Sequence, residues 1–374
     1  MNKKCFDNQK KIIVKIGTSL ITSSSGRLDS ARMENLVGQV ASLKKAGHKV
    51  LIVTSGSIAA GVECLGLKTR PKEIPKLQAA ASVGQGLLIE RYANLFKKYG
   101  LKVGQVLITQ FDTTHRQQYL NTRNTLTKLF ELGVVPIVNE NDTTAVDEIR
   151  FGDNDTLAAL VASLTKADLL ILLSDVEGLY TVDPRLNKEA KLLHEIKEIT
   201  PEIESSSGGV GTKFGSGGMV TKIQAAKIAM FAGVCMVIAS GKRPNVLLDV
   251  VDGKPIGTIF FPKKKRISSK KIWIAFGRIS KGKIVVDDGA KKAVVEGGKS
   301  LLPAGVVDCL GKFYVGDAVN VVDVDGEIFA KGLVNFSSEE IAKIKGLRRN
   351  EVIGKFSDEA SHEIIHRDCL VVLK

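Results

Sequence analysis

No apolar run in this 374-residue chain reaches the ~18 residues that a membrane-spanning helix needs, and the longest, such as ADLLILLSDV, carry acids. The start, MNKKCFDNQKKIIVKIG, passes from lysines directly into a strand-like run. It has no apolar core and no small-residue cleavage site, so no export signal is expected. Cysteine is scarce: Cys5, Cys64, Cys235, Cys309 and Cys369 never fall in a metal-binding or redox spacing. Structural cysteines in a reducing cytoplasm, and no membrane partner, are the expectation. Aromatic residues make up only 5% of the chain and are little interleaved with the basic ones, which disfavours a nucleic-acid-binding surface.

What is present describes a folded protein. Hydrophobic residues are 44%, charged residues 25%, and a prior of ~150 residues per domain suggests two domains. The net charge of +14 asks for a partner of opposite sign. The excess is spread over both parts of the chain, so a small anionic substrate is served as well as a polyanion.

Over residues 1–262, short β-branched runs (KIIVKIG, HKVLIVTSG, VGQVLIT, VVPIVN, ADLLILLS) alternate with amphipathic stretches such as ARMENLVGQVASLKKAG. This alternation predicts an α/β domain, a three-layer αβα sandwich around a mainly parallel sheet whose strands are covered on both faces. A basic, serine-containing seam at 263–274 reads as a linker. From 275 to 374 the strands are shorter and punctuated by glycine, with one short helix (GAKKAVVEGG), which predicts a small β-barrel-like domain.

Four familiar-looking signals lack the setting their chemistry requires. SHEIIH, with His362 and His366 flanking Glu363, would need a helix to put both histidines on one face, but its surroundings are β-branched. AVVEGGKS leaves a helical run, whereas a phosphate loop must leave a strand and open a helix. GVGTKFG follows ESSSG and no strand, and PKKKR has the commoner reading of a solvated linker.

Four other pieces fall at strand ends or helix starts, where open parallel sheets bind ligands. VKIGTS ends a strand at Lys15, and Gly17 lets backbone amides approach an anion. VTSGSIAAG places Ser55 and Gly56 before a helix whose free N–H groups favour an anion, although an ordinary N-cap reads the same way. SGGMVTKIQAAKIA leads through glycines into a helix carrying Lys222. VNENDTTAVDEIRFGDND, between a buried-type strand and an apolar helix, gathers Asn139, Asp142, Asn154 and Asp155 in a polar stretch of a length more often found in working loops, although a solvated surface loop reads the same way.

Together VKIGTS, VTSGSIAAG, VNENDTT, FGDNDTLAAL, LLSDVEGLYTVDPR and SGGMVTKIQAA, followed by GKIVVDDGAKKAV, SLLPAGV and FYVGDAV, resemble the glutamate 5-kinase family. That family belongs to the amino-acid kinase superfamily and carries a C-terminal PUA domain. The resemblance covers nearly the whole chain, in order. SSSGGVGTKFGSGGM departs from it, being richer in Gly and Ser, so an unusual shape is expected for this loop.

Residue by residue, the resemblance implies ATP contacts at Lys15, Gly17, Ser174 and Asp175, and at Ser216, Gly217, Gly218, Met219, Val220, Thr221 and Lys222. It implies glutamate binding at Ser55, Gly56, Asp142 and Asn154, with Asn139 nearby. Asp155 would orient Lys15 and Lys222, and these lysines would hold the transferring phosphoryl group. The cofactors implied are ATP and Mg²⁺, with no dedicated metal ligands. The partners implied are L-glutamate, the next enzyme of the proline pathway and a homo-oligomer of this chain, with RNA at the PUA domain as a lesser reading. The chemistry is consistent: a γ-carboxylate with a reference pKa of ~4.3 is already a nucleophile at neutral pH, so no general base is needed. The rival readings are a related kinase acting on another carboxylate, and an RNA-binding protein.

Overall fold

A computed structural model describes residues 10–23, 26–109, 112, 116–144, 154–182, 184, 187, 189–206, 218–263, 267–348, 351 and 362–373. The chain divides into two compact units, Met1–Arg266 and Ile267–Lys374. The division falls inside the basic seam.

The first unit is built on strands β1 (Lys11–Ile16), β2 (Lys49–Thr54), β3 (Val103–Ile108), β4 (Val135–Glu140) and β5 (Leu169–Ser174), each at an expected run. Three more strands complete an eight-stranded sheet: β6 (Glu195–Ile196), β7 (Cys235–Ser240) and β8 (Thr258–Phe260). The order is β3-β4-β2-β1-β5-β7-β8-β6. All neighbours are parallel except β7 and β8. Strand β1 shows why the central runs are uninterrupted: Ile12, Ile13 and Val14 are all fully buried, although alternate side chains point to opposite faces. Helices cover both.

Its helices include α1 (Ser30–Lys45), α2 (Ser57–Cys64), α3 (Ile74–Lys97), α4 (Arg116–Glu131), α5 (Asn154–Thr165), α6 (Met219–Ala232) and α7 (Val246–Val251). Local chemistry sets their ends. The Asp29 carboxylate accepts from the Arg32 N–H to cap α1, and Lys44 and Lys45 sit in its last turn, where the helix dipole favours cations. Gly233, at φ 74°, terminates α6 in the left-handed region. Helix α5 is buried almost all round, so its two leading polar residues, Asn154 and Asp155, are carried into the interior.

The second unit begins within the expected linker. Residues Ser269–Ile272 form a short helix, α8, followed by a π-helical turn, Trp273–Gly277. Ile274 and Ala275 of that turn pack against Val371, so apolar residues among the lysines anchor the segment. Strands β9 (Gly282–Val286), β10 (Val306–Leu310), β11 (Ala318–Val322), β12 (Ile328–Leu333) and β13 (Leu370–Val372) form a sheet in the order β10-β9-β11-β12-β13. The expected helix appears as α9 (Asp288–Val295). A second one, α10 (Ser338–Ile344), is an addition to the sequence reading. Its capping box, in which Ser337 and Glu340 satisfy each other's backbone N–H groups, was legible in the residues. His362 lies in a bend and His366 is the extended residue that caps the 3₁₀ turn Arg367–Cys369, with Ile365 bridged to Leu301 between them, so they do not share a helix face.

Candidate active site

The carboxyl ends of β1, β2, β4 and β5 open into one cleft of about 980 Å³. Lys15, Gly17, Ser55, Gly56, Asn139, Asp142, Asn154, Ser174, Asp175 and Lys222 all line it. These residues span more than two hundred positions of chain, and the parallel sheet is what gathers them.

At the centre is a buried charge cluster. Asp155 is fully buried, and Lys15 and Lys222 are 5% and 6% exposed. Lys15 Nζ lies 2.6 Å from Asp155 Oδ1, and Lys222 Nζ 3.0 Å from Oδ2. The Thr221 hydroxyl donates to the same Oδ2 at 3.2 Å. Two ammonium groups share one carboxylate, which leaves the cluster with a net positive charge. Desolvated cations at this spacing repel each other strongly unless an anion stands between them. Both lysines also line the cleft, where an anionic ligand would meet their charge.

A carboxamide network builds the adjoining wall. Asn154 Nδ2 donates to the Thr54 carbonyl at 2.6 Å, to the Ser55 hydroxyl at 2.8 Å and to Asn139 Oδ1 at 2.9 Å. The Ser57 hydroxyl donates to Asp142 Oδ2 at 3.2 Å. Beneath it, Thr54 and Tyr92 hydroxyls are 2.9 Å apart, and burial pushes the Tyr92 phenol up to about 12, so it stays a neutral hydrogen-bonding partner. Gly56, with φ 106°, caps α2 in a conformation that a side chain would strain.

Ser174 and Asp175 continue the cleft beyond β5, the serine hydroxyl donating to the aspartate at 3.2 Å. Gly218 caps α6, whereas Val220 is half exposed and does not line the cleft. Ser216, Gly217 and most of the Gly/Ser-rich loop lie outside the described residues, as does the 145–153 part of the polar stretch. The sequence reading missed Ser57, Gln85, Thr54 and Tyr92, whose roles depend on partners far along the chain. It also missed the cations Arg27, Lys68 and Arg70 at the cleft's edge.

Among the described residues no group of three or more His, Cys, Asp or Glu could hold a metal.

Residues 10–240 match the amino acid kinase family, and residues 282–355 match the PUA domain. The chain belongs to the amino acid kinase family. Among similar proteins of that family, a glutamate 5-kinase from Thermoanaerobacter sp. (strain X514) is 51% identical, over 97% of this chain and 98% of that protein. A glutamate 5-kinase from Syntrophus aciditrophicus (strain SB) is 47% identical, over 100% of this chain and 96% of that one. Carbamate kinase from Giardia lamblia bound to AMP-PNP shares the amino acid kinase fold, with a TM-score of 0.51 and 19% identity over 68% of this chain and 99% of that one.

Proposed function

We propose that the chain is an ATP-dependent glutamate 5-kinase, transferring the γ-phosphoryl group of ATP to the γ-carboxylate of L-glutamate. The products are ADP and L-glutamyl 5-phosphate, the first intermediate towards proline. The observation that carries this reading is Asp155, which holds Lys15 and Lys222 together beside the Asn139–Asn154–Ser55 wall.

The obstacle to the reaction is repulsion between a carboxylate and a highly charged triphosphate, not a shortage of nucleophile. Lys15 and Lys222 stabilise charge on the transferring group and hold the two anions in line. Ser174 and Asp175 border the nucleotide, with Gly17 and the start of α6 close to its phosphates. Asp142 pairs with the substrate's ammonium group, while Ser55, Gly56, Asn139 and Asn154 read its α-carboxylate and amine. Magnesium, bound to the phosphates, supplies further charge neutralisation. The site of action proposed is the cytoplasm, where glutamate and ATP are both at hand; no described helix is long and apolar enough to cross a membrane. The outer edge of β3, with Val83 and Leu87 exposed on α3, supports a homo-oligomer. The lability of an acyl phosphate supports its direct passage to the next enzyme. Residues 275–374 act as the PUA domain.

A hydroxamate assay with L-glutamate, aspartate and acetylglutamate, each with and without ATP and Mg²⁺, tests the reading. Product from glutamate, dependent on both, is expected. Product only from another acceptor, or none, would overturn it.

A further inference from the structure

Gln85 is a buried amide, 7% exposed, to which the phosphoryl-transfer reading gives no part. Its position depends on a close helix crossing. A Cβ on Gly84 would stand 1.8 Å from the Ser57 carbonyl oxygen, and one on Gly61 would stand 1.8 Å from the Ala80 carbonyl oxygen. Helices α2 and α3 therefore meet backbone to backbone, which only glycine permits. One residue beyond that contact, Gln85 reaches the end of β4, where Asn139 Nδ2 donates to its Oε1 at 2.9 Å.

The partners fix which way each amide points. The Thr54 carbonyl can only accept, so the Asn154 atom 2.6 Å from it is the NH₂ group. The Glu140 backbone N–H can only donate, so the Asn139 atom 2.9 Å from it is the oxygen. Asn139 must then send its own NH₂ towards Gln85, with the Ser57 hydroxyl as the more distant neighbour at 3.4 Å. Ser57 in turn donates to Asp142.

We infer that Gln85 is a positioning residue that makes the acceptor subsite selective for an amine-bearing dicarboxylate. By accepting from Asn139, it holds the Asn139 Oδ1 towards Asn154 and so keeps Asn154 turned with its own Oδ1 as the remaining acceptor, beside the Asp142 that Ser57 supports. An ammonium group is the ligand that a carboxylate and an amide oxygen together recognise. Without the Gln85 oxygen, the buried Asn139 NH₂ keeps only the longer contact to the Ser57 hydroxyl, so the amide is released to turn and its Oδ1 no longer fixes Asn154. The inference rests on the acceptor site proposed above.

The test compares the full-length parent with Q85M, which removes the acceptor at similar volume, and Q85E, which keeps an acceptor oxygen. Kinetic constants are measured for L-glutamate and ATP, together with the inhibition constant of glutarate, the same diacid without the amine. For Q85M the expected result is a KM for glutamate raised at least tenfold, with kcat, the KM for ATP and the glutarate constant within threefold of the parent. Q85E should restore most of the glutamate KM. If Q85M does not fold, Q85N, whose shorter amide cannot make the contact, is read in the same way. An unchanged glutamate KM, or glutamate and glutarate weakened together, would overturn the positioning role alone. A parent inactive with glutamate would overturn the acceptor site beneath it and the role with it.

Discussion

Asp155 Oδ2 lies 3.0 Å from Nζ of Lys222, a residue 67 positions further along the chain, and both side chains are buried. Lys15 takes the other carboxylate oxygen. The pair therefore works as one unit, and its two ends should fail differently. Lys222→Ala removes a donor from the transferring group, and one such donor is worth about 2.7–4 kcal/mol, roughly a hundred- to thousandfold in turnover. Asp155→Asn keeps both lysines but strips their counter-ion, at a cost of about 3–5 kcal/mol in stability. Turnover should fall in both variants with the KM for glutamate little changed, and a markedly lower Tm should appear with Asp155→Asn. Steady-state kinetics and thermal unfolding check this.

Asp142 faces the cleft on the Ser57 side, away from that cluster. Asp142→Asn should raise the KM for glutamate at least tenfold and leave the KM for ATP near the parent's. Losing a charge-assisted hydrogen bond of about 1.5–3 kcal/mol sets that scale. Paired saturation curves decide it, and equal weakening of both substrates would place Asp142 elsewhere in the mechanism.

Gly84→Ala inserts a methyl group where the Ser57 carbonyl oxygen already stands. Helices α2 and α3 must separate, and overpacking of this kind costs about 1–3 kcal/mol or more. Reduced thermal stability and a raised glutamate KM are expected together, because α2 carries Ser57 at its first position. Gly86→Ala, where a Cβ meets nothing, is the control that should behave like the parent.

Lys331 is buried beneath the π-helical turn, its ammonium donating to the Ala275 carbonyl at 3.2 Å and to the Arg278 carbonyl. Burial, and then the Arg278 charge, lower its pKa from 10.5 to about 8. Between those two values the unfolded chain binds more protons than the folded one, so stability rises with pH there. Below pH 8 the buried charge costs the second unit about 3 kcal/mol, and this is recovered as pH climbs to 10.5. Denaturant titrations across that range should show the gain in the parent and lose it in Lys331→Met. A parent whose stability only falls there, in parallel with the variant, would contradict it.

Truncation after Arg266 removes the second unit at the division between the two compact bodies. Every proposed substrate contact lies in the first unit, so the shortened chain should stay folded and retain measurable kinase activity. Circular dichroism and the hydroxamate assay test this, and an insoluble or wholly inactive product beside an active full-length chain would refute it.

The sequence alone determined the layered architecture, because strand and helix periods are local properties. KIIVKI and LLILLS are apolar on both faces, which suits only strands covered on both sides, and they became adjacent central strands. Lys15, Asp155 and Lys222 were legible because charged groups at strand ends and helix starts of an α/β sheet are rarely idle. The extra helix and the packed turn of the second unit were present in the residues, but their apolar anchors were masked by the surrounding lysines and glycines. Tertiary structure decided the rest. Asn139 and Gln85 are 54 positions apart and carry no shared spacing, yet they hydrogen-bond because Gly61 and Gly84 let two helices touch. Which amide faces which acceptor depends on backbone groups brought in from other strands. No period in the chain encodes that.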